Sequence, residues 1–191
     1  MNRRDAPPAD PWPPQAVLQF LTTDQRISRA PRDPDYARGQ LEAVADGECF
    51  HALIAGARGD WQKANTETYD AARKAVEMLL LSVGWRVKSS GGGHQAVVDI
   101  VQRWLGSQPP PGPRIAQKYG ASVKARHDHE YPHPRNFPRT ARELRELTLD
   151  NVRLVNLVRT QLGMPVRGDL LPTDDNLEPF RNLPAPELGG R

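Results

Sequence analysis

The sequence predicts an all-α protein, an antiparallel bundle of four to five helices flanked by Pro-rich tails that are disordered or extended. Apolar residues recur at helical spacing in several segments, caps and glycines mark where these segments end, and no segment alternates with the period of two of a strand. The 19 prolines of the 191 residues gather near the ends. We therefore expect an N-terminal tail with a short helix over residues 1–35, the bundle over 36–164, and a C-terminal tail over 165–191.

Five segments carry the apolar period of a helix, and they cover residues 36–61, 65–83, 94–105, 115–131 and 140–162. We expect the first segment to be bent or broken near Asp46 and Gly47, where the period is interrupted. Asn65 or Thr66 is the expected N-cap of the second segment. The sequence TARE, which starts at Thr140, predicts a capping box at the start of the last segment.

The composition argues against a secreted, a membrane-spanning and a disulfide-bonded protein. The N-terminus carries charge and proline but lacks the apolar stretch of a secretory signal, and no window approaches the ~18 apolar residues of a membrane span. We therefore expect a cytoplasmic protein that has no membrane partner. The single cysteine, Cys49, excludes an intrachain disulfide, and its apolar helical surroundings favour a buried hydrophobic role over a nucleophilic one.

The distribution of charge favours an anionic partner. Residues 114–159 contain ten Lys and Arg against five Asp and Glu, whereas the whole chain has a net charge of only +3. A solvated helical face would give the same count, and this alternative stays open.

The segment 124–134, KARHDHEYPHP, holds three of the five histidines. On a helix His127 and His129 point about 200° apart, and Pro132 interrupts the spacing of four from His129 to His133. This arrangement suits a zinc site poorly. We therefore predict neither a metal nor a cofactor, and a metal site remains a third hypothesis behind the two described below.

Phosphate chemistry suits these residue types better. Cleaving RNA without a metal requires a group that activates the 2′-hydroxyl, a group that protonates the leaving oxygen, and a cation that stabilises charge on the phosphorane. Histidine titrates near neutral pH, and arginine presents a fork of donors to phosphate. Arg126, a histidine and Tyr131 would supply these groups from one helix end. A purely structural helix end, with Tyr131 packed and the charges in water, is the alternative.

A second polar segment, SSGGGH, precedes the third helix and ends at His94. Its glycines could present backbone N–H groups to a phosphate, but it lacks the preceding strand and the GK[ST] ending of a phosphate-binding loop. We interpret it as a flexible linker. His94 would then cap the helix or reach a site from the opposite side of a groove.

The order of these elements resembles that of the HEPN superfamily of small all-α domains. The resemblance covers residues 36–163 and rests on a helix with YDAARKAVEMLL, a loop with GGH, a short helix, KARHDHEYP and a long final helix. The family hallmark is an arginine followed by a polar residue, with a histidine four to six residues further on, at the end of a late helix. Arg126, His127 and His133 match this pattern, while the commonest spacing of four places Tyr131 at the histidine position.

The resemblance implies a metal-independent endoribonuclease, often a toxin or defence effector paired with an antitoxin protein, that acts as a homodimer with its two motifs facing each other. Carried over to this chain, Arg126 would contact the scissile phosphate, His133 would be the catalytic histidine, and His127 would be its polar neighbour, with His129 or Tyr131 assisting. The position of Tyr131 motivates a second hypothesis, a non-catalytic HEPN-like module that binds a nucleotide, RNA or a protein.

Further basic residues are candidates for contacts with an RNA backbone, namely Lys124, Arg126, Arg139 and Arg142. Cations in the first turn of a helix oppose its macrodipole, and a bound phosphate backbone would offset this cost. An ordinary surface ion pair between Arg142 and Glu146 is the alternative explanation.

Overall fold

The computed structural model describes residues 13–23, 26–88, 93–131 and 139–182, which are predominantly helical. The elements are α1 (Gln15–Thr23), β1 (Ile27–Arg29), α2 (Pro34–Gln40), α3 (Asp46–Ala57), α4 (Trp61–Ser82), β2 (Trp85–Val87), α5 (Gly93–Leu105), α6 (Gly112–Glu130), α7 (Ala141–Gln161) and α8 (Asp174–Arg181). This content confirms the expectation of an all-α protein. No described helix has both the length and the apolar character that crossing a membrane requires.

Helices α2 and α3 form one continuous helical segment through a π-helical turn at Leu41–Ala45. The carboxylate of Asp33 accepts from the Tyr36 amide at 2.9 Å and caps the start of α2. The π turn lies immediately before Asp46, where the sequence predicts a bend or a break, and it adds a residue to the helix without interrupting it. Cys49, on α3, is fully buried and free, as predicted for a hydrophobic role.

Helix α4 begins one turn earlier than the sequence predicts. Its N-cap is Asp60, whose carboxylate accepts from the Lys63 amide at 3.0 Å, so the prediction of Asn65 or Thr66 as the cap is wrong. Asn65 is instead fully buried inside the helix. The chain leaves α4 through Gly84, whose φ of +84° suits a residue without a Cβ.

The predicted capping box at the start of α7 is confirmed. The Thr140 hydroxyl accepts from the Glu143 amide at 3.2 Å, and the Glu143 carboxylate accepts from the Thr140 amide at 2.8 Å. These two hydrogen bonds satisfy backbone donors that the helix itself cannot pair. Gly163, with a φ of +70°, follows the end of the helix.

Helices α3, α4, α5, α6 and α7 meet around one main apolar core. Its largest fully buried apolar and aromatic side chains are Trp104, Tyr69, Tyr119, Leu41, Leu79, Leu80, Ile100, Leu105, Ile115 and Leu154. A polar layer lies between α4, α6 and α7, where the Asn151 amide donates to the hydroxyls of Thr68 at 3.3 Å and Ser122 at 3.1 Å. Because these groups are buried, their mutual hydrogen bonds fix how the three helices align.

A short antiparallel ribbon corrects the expectation that the chain has no strand. Ile27 pairs with Val87, Ser28 with Arg86 and Arg29 with Trp85. Each strand has only three residues, so its alternation is too short to stand out in the sequence. Ile27 is buried, which places one face of the ribbon against the core.

The N-terminal region packs closely on the rest of the molecule. The short helix expected within residues 1–35 is α1, and its apolar side chains Val17, Phe20 and Leu21 are buried in the main core, where α1 packs against α5. Residues 1–12 of the expected tail lie outside the described residues.

The expectation of a disordered or extended C-terminal tail is wrong for residues 165–182. The Asn156 side chain accepts from the Arg167 amide at 2.8 Å and donates to the Arg167 carbonyl at 3.3 Å, which fixes the start of this segment on α7. The segment continues through a 3₁₀ turn to α8, which packs against α3 with Leu177 buried. Residues 183–191 lie outside the described residues.

Candidate functional site

Arg126 lies in the last turns of α6, beside the buried Ala125, with 22% of its side chain exposed. The helix ends at Glu130, because the residue before a proline, here Tyr131, is disfavoured in the helical conformation. The Tyr131 amide still donates to the His127 carbonyl at 2.9 Å, which closes the last turn. Arg126 is therefore held on a helix and close to its exposed end.

Two carboxylates hold the Arg126 guanidinium. Its Nη1 donates to Asp70 Oδ1 on α4 at 2.7 Å, and its Nε donates to Glu130 Oε1 on the same helix at 2.8 Å. Partial burial opposes the guanidinium charge, but the hydrogen bond to Glu130 and the charge of Asp70 outweigh it and raise the pKa of Arg126. The arginine thus stays charged and ties α6 to α4.

The guanidinium also lies over an aromatic ring. Its Cζ is 5.2 Å from the centre of the Tyr69 ring, within the range of a cation–π contact. Tyr69 is fully buried, and its ring stacks on that of Tyr119 with 5.6 Å between centres. Burial raises the pKa of Tyr69 to about 12, although the charges of Arg73 and Arg126 oppose this shift. The phenol is therefore neutral at physiological pH.

His94, near the start of α5, approaches Tyr69 from another direction. The Tyr69 hydroxyl forms a short hydrogen bond with His94 Nδ1, and the two rings lie 5.9 Å apart between centres. Because the phenol keeps its proton, it can donate to this ring nitrogen. We call Tyr69, Asp70, His94 and Arg126 the Tyr69 cluster.

A ladder of charges on α4 borders this cluster. Arg73 Nη1 donates to Glu77 at 2.8 Å, and Arg73 Nε lies 3.6 Å from the carboxylate of Asp70. Asp70 therefore lies between two guanidiniums, those of Arg73 and Arg126. This arrangement means that the carboxylate keeps a cationic neighbour if either arginine turns to another partner.

The other predicted catalytic side chains do not join this cluster in the part of the chain that the structure describes. His127, His129 and Tyr131 are exposed, and the rings of His127 and Tyr131 are 5.1 Å apart. The described contacts of Arg126 include none of these three side chains. His133, the predicted catalytic histidine, lies outside the described residues.

Apart from Arg126, the predicted phosphate-binding residues have no described contact with the Tyr69 cluster. Lys124 is exposed on α6, and Arg139 is half-buried just before α7. The side chain of Arg142 is 90% exposed and lies 3.6 Å from Glu146, the surface ion pair considered as the alternative. Of the predicted site residues in the described part of the chain, only Arg126 belongs to the Tyr69 cluster.

A metal site is the third hypothesis for this region. Among residues 13–23, 26–88, 93–131 and 139–182, no group of three or more His, Cys, Asp or Glu side chains is arranged to hold a metal ion.

Sequence reasoning did not identify Tyr69 and Asp70 as site residues, because Tyr69 reads as one of several apolar positions of α4. The sequence nevertheless contains a pattern that points to Asp70. Asp70, Arg73 and Glu77 recur at spacings of three and four and form a charged stripe along the edge of the apolar face. The approach of His94 depends on how α5 packs, and the sequence leaves this open.

Comparison with known proteins gives no relative for this chain, since no family model, no curated protein and no solved structure matches it.

Proposed function

We propose that the chain is an HEPN-type endoribonuclease that cleaves RNA without a metal ion, and that Arg126 contacts the scissile phosphate. The observation that carries this proposal is the meeting of Arg126 and His94 on one tyrosine, Tyr69. A cation and an imidazole are the two kinds of group that phosphodiester cleavage needs, one to stabilise the phosphorane and the other to transfer protons. They come from α6 and α5, and each contacts the buried Tyr69.

The order of the elements also supports the proposal. The cluster combines the middle of α4, the start of α5, which follows a glycine-rich sequence, and the end of α6, after which the long helix α7 comes in the chain. The proposal includes a four-to-five-helix antiparallel bundle, a homodimer in which two copies of Arg126 face one groove, and an antitoxin protein as a further partner. His133 would transfer a proton with help from His129 or Tyr131, while Lys124, Arg139 and Arg142 would contact the RNA backbone.

One observation favours the second candidate, a non-catalytic module that binds RNA, a nucleotide or a protein. Arg126 already has two carboxylate partners, Asp70 and Glu130, so a phosphate has to displace at least one of them. Such a resting state suits a group that exchanges partners on binding, and it does not require a chemical step.

The test combines cleavage and binding. Purified protein is incubated with single-stranded RNA in excess EDTA, and the variants Arg126→Ala, Arg126→Lys, His94→Ala and His133→Ala are compared with the parent protein. Arg181→Ala is the matched control, because Arg181 on α8 also pairs with two carboxylates, those of Asp174 and Glu178. Circular dichroism and the melting temperature show whether each variant folds.

Cleavage by the parent protein and by Arg181→Ala, together with its loss in Arg126→Ala, supports the nuclease. Arg126→Lys should restore little, since an ammonium lacks the planar fork. RNA binding that depends on Arg126, without turnover, supports the second candidate. Turnover that is unchanged in both Arg126→Ala and His133→Ala rejects the assignment of these residues.

Asp70→Asn separates a phosphate-binding Arg126 from a purely structural one. If Arg126 binds phosphate, loss of its competing carboxylate strengthens RNA binding. If Arg126 only ties α6 to α4, Asp70→Asn lowers the melting temperature and leaves RNA binding unchanged.

A further inference from the structure

The β1–β2 ribbon presents a basic surface that none of the functions above uses. Ser28 and Arg86 are directly opposite each other, and the Arg86 guanidinium donates to the Ser28 hydroxyl at 3.3 Å. Since side chains alternate between the faces of a strand, Arg26 and Lys88 lie on the same face as this pair. The Lys88 amide donates to the Arg26 carbonyl at 2.8 Å and extends the ladder to them.

Two further arginines adjoin the ribbon. Arg29 is exposed, and its guanidinium carbon is 3.9 Å from the centre of the Trp85 ring. Arg103 on α5 and Arg26 both lie over the Phe20 ring, at 4.6 and 5.3 Å from its centre. By the same alternation Arg29 and Trp85 lie on the opposite face of the strands. We call Arg26, Arg86, Lys88 and Arg103 the cationic ribbon.

The charge of the cationic ribbon is largely uncompensated. Asp99 pairs with Arg26 at 2.7 Å. Within the described residues, Arg86, Lys88 and Arg103 form no ion pair with a carboxylate. Like charges that are gathered without counter-charges attract polyanions and cost stability in their absence.

The cationic ribbon also leads to the Tyr69 cluster. Gly93 packs against the end of β2, since a Cβ added to it would lie 3.5 Å from both the Lys88 carbonyl and a Val87 methyl group. The next residue, His94, is hydrogen-bonded to Tyr69. The end of β2 and the start of α5, which carries His94 of the cluster, are therefore neighbours.

We propose that the cationic ribbon binds the sugar–phosphate backbone of single-stranded RNA and guides the strand to the Tyr69 cluster. This inference rests on the proposed function for its ligand class. Cations that lie on one face of the strands can contact successive phosphates of a single strand, as the positively charged grooves that bind single-stranded nucleic acids do. A membrane surface fits less well, because the apolar Ile27 and Val87 pack on the core and leave no apolar face for lipid.

The test is the salt dependence of binding to a labelled 2′-O-methyl oligouridine. This probe keeps the RNA backbone but lacks the nucleophilic hydroxyl, so cleavage cannot interfere. Arg86→Ala/Lys88→Ala removes two cations of the ribbon. The control Lys63→Ala/Arg181→Ala removes the same charge from the start of α4 and from α8. Melting temperatures are compared for all three proteins.

Each phosphate contact with a single strand contributes about 0.7 to the slope of log K against log salt. We expect the ribbon variant to lose about 1.4 from this slope and on the order of tenfold in affinity at low salt. The control should keep the parent slope. Equal slopes for the two variants would overturn the proposal, as would preferential binding of an RNA duplex or of anionic vesicles.

The result of this binding test can be distinguished from the result of the cleavage test. A lower slope in the ribbon variant supports the cationic ribbon even if Arg126→Ala has no effect on cleavage. Conversely, cleavage that requires Arg126 while the ribbon variant binds like the parent protein overturns the ribbon alone. Absence of any binding to single strands by the parent protein also overturns it.

Discussion

The buried ion pair between Asp46 and Arg159 provides the strongest stability prediction. Arg159 Nη1 donates to Asp46 Oδ2 at 2.6 Å, and only 2% of the arginine side chain is exposed. The same guanidinium donates through Nε to the Pro165 carbonyl at 2.6 Å, while Arg167 reaches Asp46 Oδ2 at 3.3 Å. The pair therefore connects α3, α7 and the start of the C-terminal segment.

Replacing Asp46 by alanine leaves the Arg159 charge buried without its main partner. Breaking a buried pair in this way costs about 3–5 kcal/mol. The lower end applies here, because the exposed Glu42 carboxylate lies 4.0 Å from Arg159 and can compensate part of the charge. A loss of about 3 kcal/mol would take a large share of the roughly 5–15 kcal/mol that stabilises a typical domain. It corresponds to a melting temperature lower by about 6–12 °C.

Urea unfolding followed by far-UV circular dichroism measures this loss. Asp169→Ala is the matched control, since Asp169 also pairs with Arg167 but is exposed, and its removal should change stability by less than about 0.5 kcal/mol. The double variant Asp46→Leu/Arg159→Met should be more stable than Asp46→Ala, because it removes both charges. A loss below about 1 kcal/mol for Asp46→Ala, or a double variant less stable than the single one, would refute the reasoning.

Three further predictions concern other parts of the fold. Asn65→Leu should be neutral or stabilising in thermal unfolding, because Asn65 is fully buried and neither polar atom of its amide has a described partner. Leu177→Ala should cost about 2–3 kcal/mol in urea unfolding if α8 is packed as described, whereas an extended tail would give almost no loss. Hydrogen bonds from the Thr140 amide and hydroxyl lower the pKa of Glu143 from its ordinary 4.5. The Glu143 carboxylate therefore stabilises the fold at pH values above 4.5, and this stabilisation is lost as the pH falls through the lowered pKa. The melting temperatures of Glu143→Gln and of the parent protein should therefore converge on acidification rather than stay parallel.

Local signals in the sequence predict the long helices well. The apolar period locates α4, α5, α6 and α7, and the TARE sequence marks the start of α7 correctly. Errors arise where tertiary packing overrides a local preference. Asn65 resembles an N-cap but is fully buried within α4. Pro179 and its neighbours suggest an open tail, yet Leu177 gains a buried position on α3, and Pro179 lies inside the resulting helix.

The sequence predicts one residue of the candidate site, Arg126, but not the side chains that contact it. Arg126 can be identified because its motif is local and lies at a helix end. Its partner Asp70 is 56 residues away on α4, and His94 meets Tyr69 across 25 residues. No periodic pattern encodes these pairings, since they depend on the rotation and relative depth of α4, α5 and α6 in the core. His133, which follows Arg126 in the sequence, and His94, which contacts Tyr69 in the fold, are therefore different candidates for the histidine of the site.

The two carboxylates on Arg126 do not argue against a phosphate ligand as strongly as their number suggests. Glu130 is 42% exposed, so water can solvate it when the guanidinium leaves. Asp70 is less exposed but keeps Arg73 as a neighbour, 3.6 Å from its carboxylate. Neither acid would become an unpaired buried charge, the circumstance that makes such exchanges costly. Arg126 can therefore exchange a carboxylate for a phosphate at modest cost, and the cation–π contact with Tyr69 keeps its position while the partner changes.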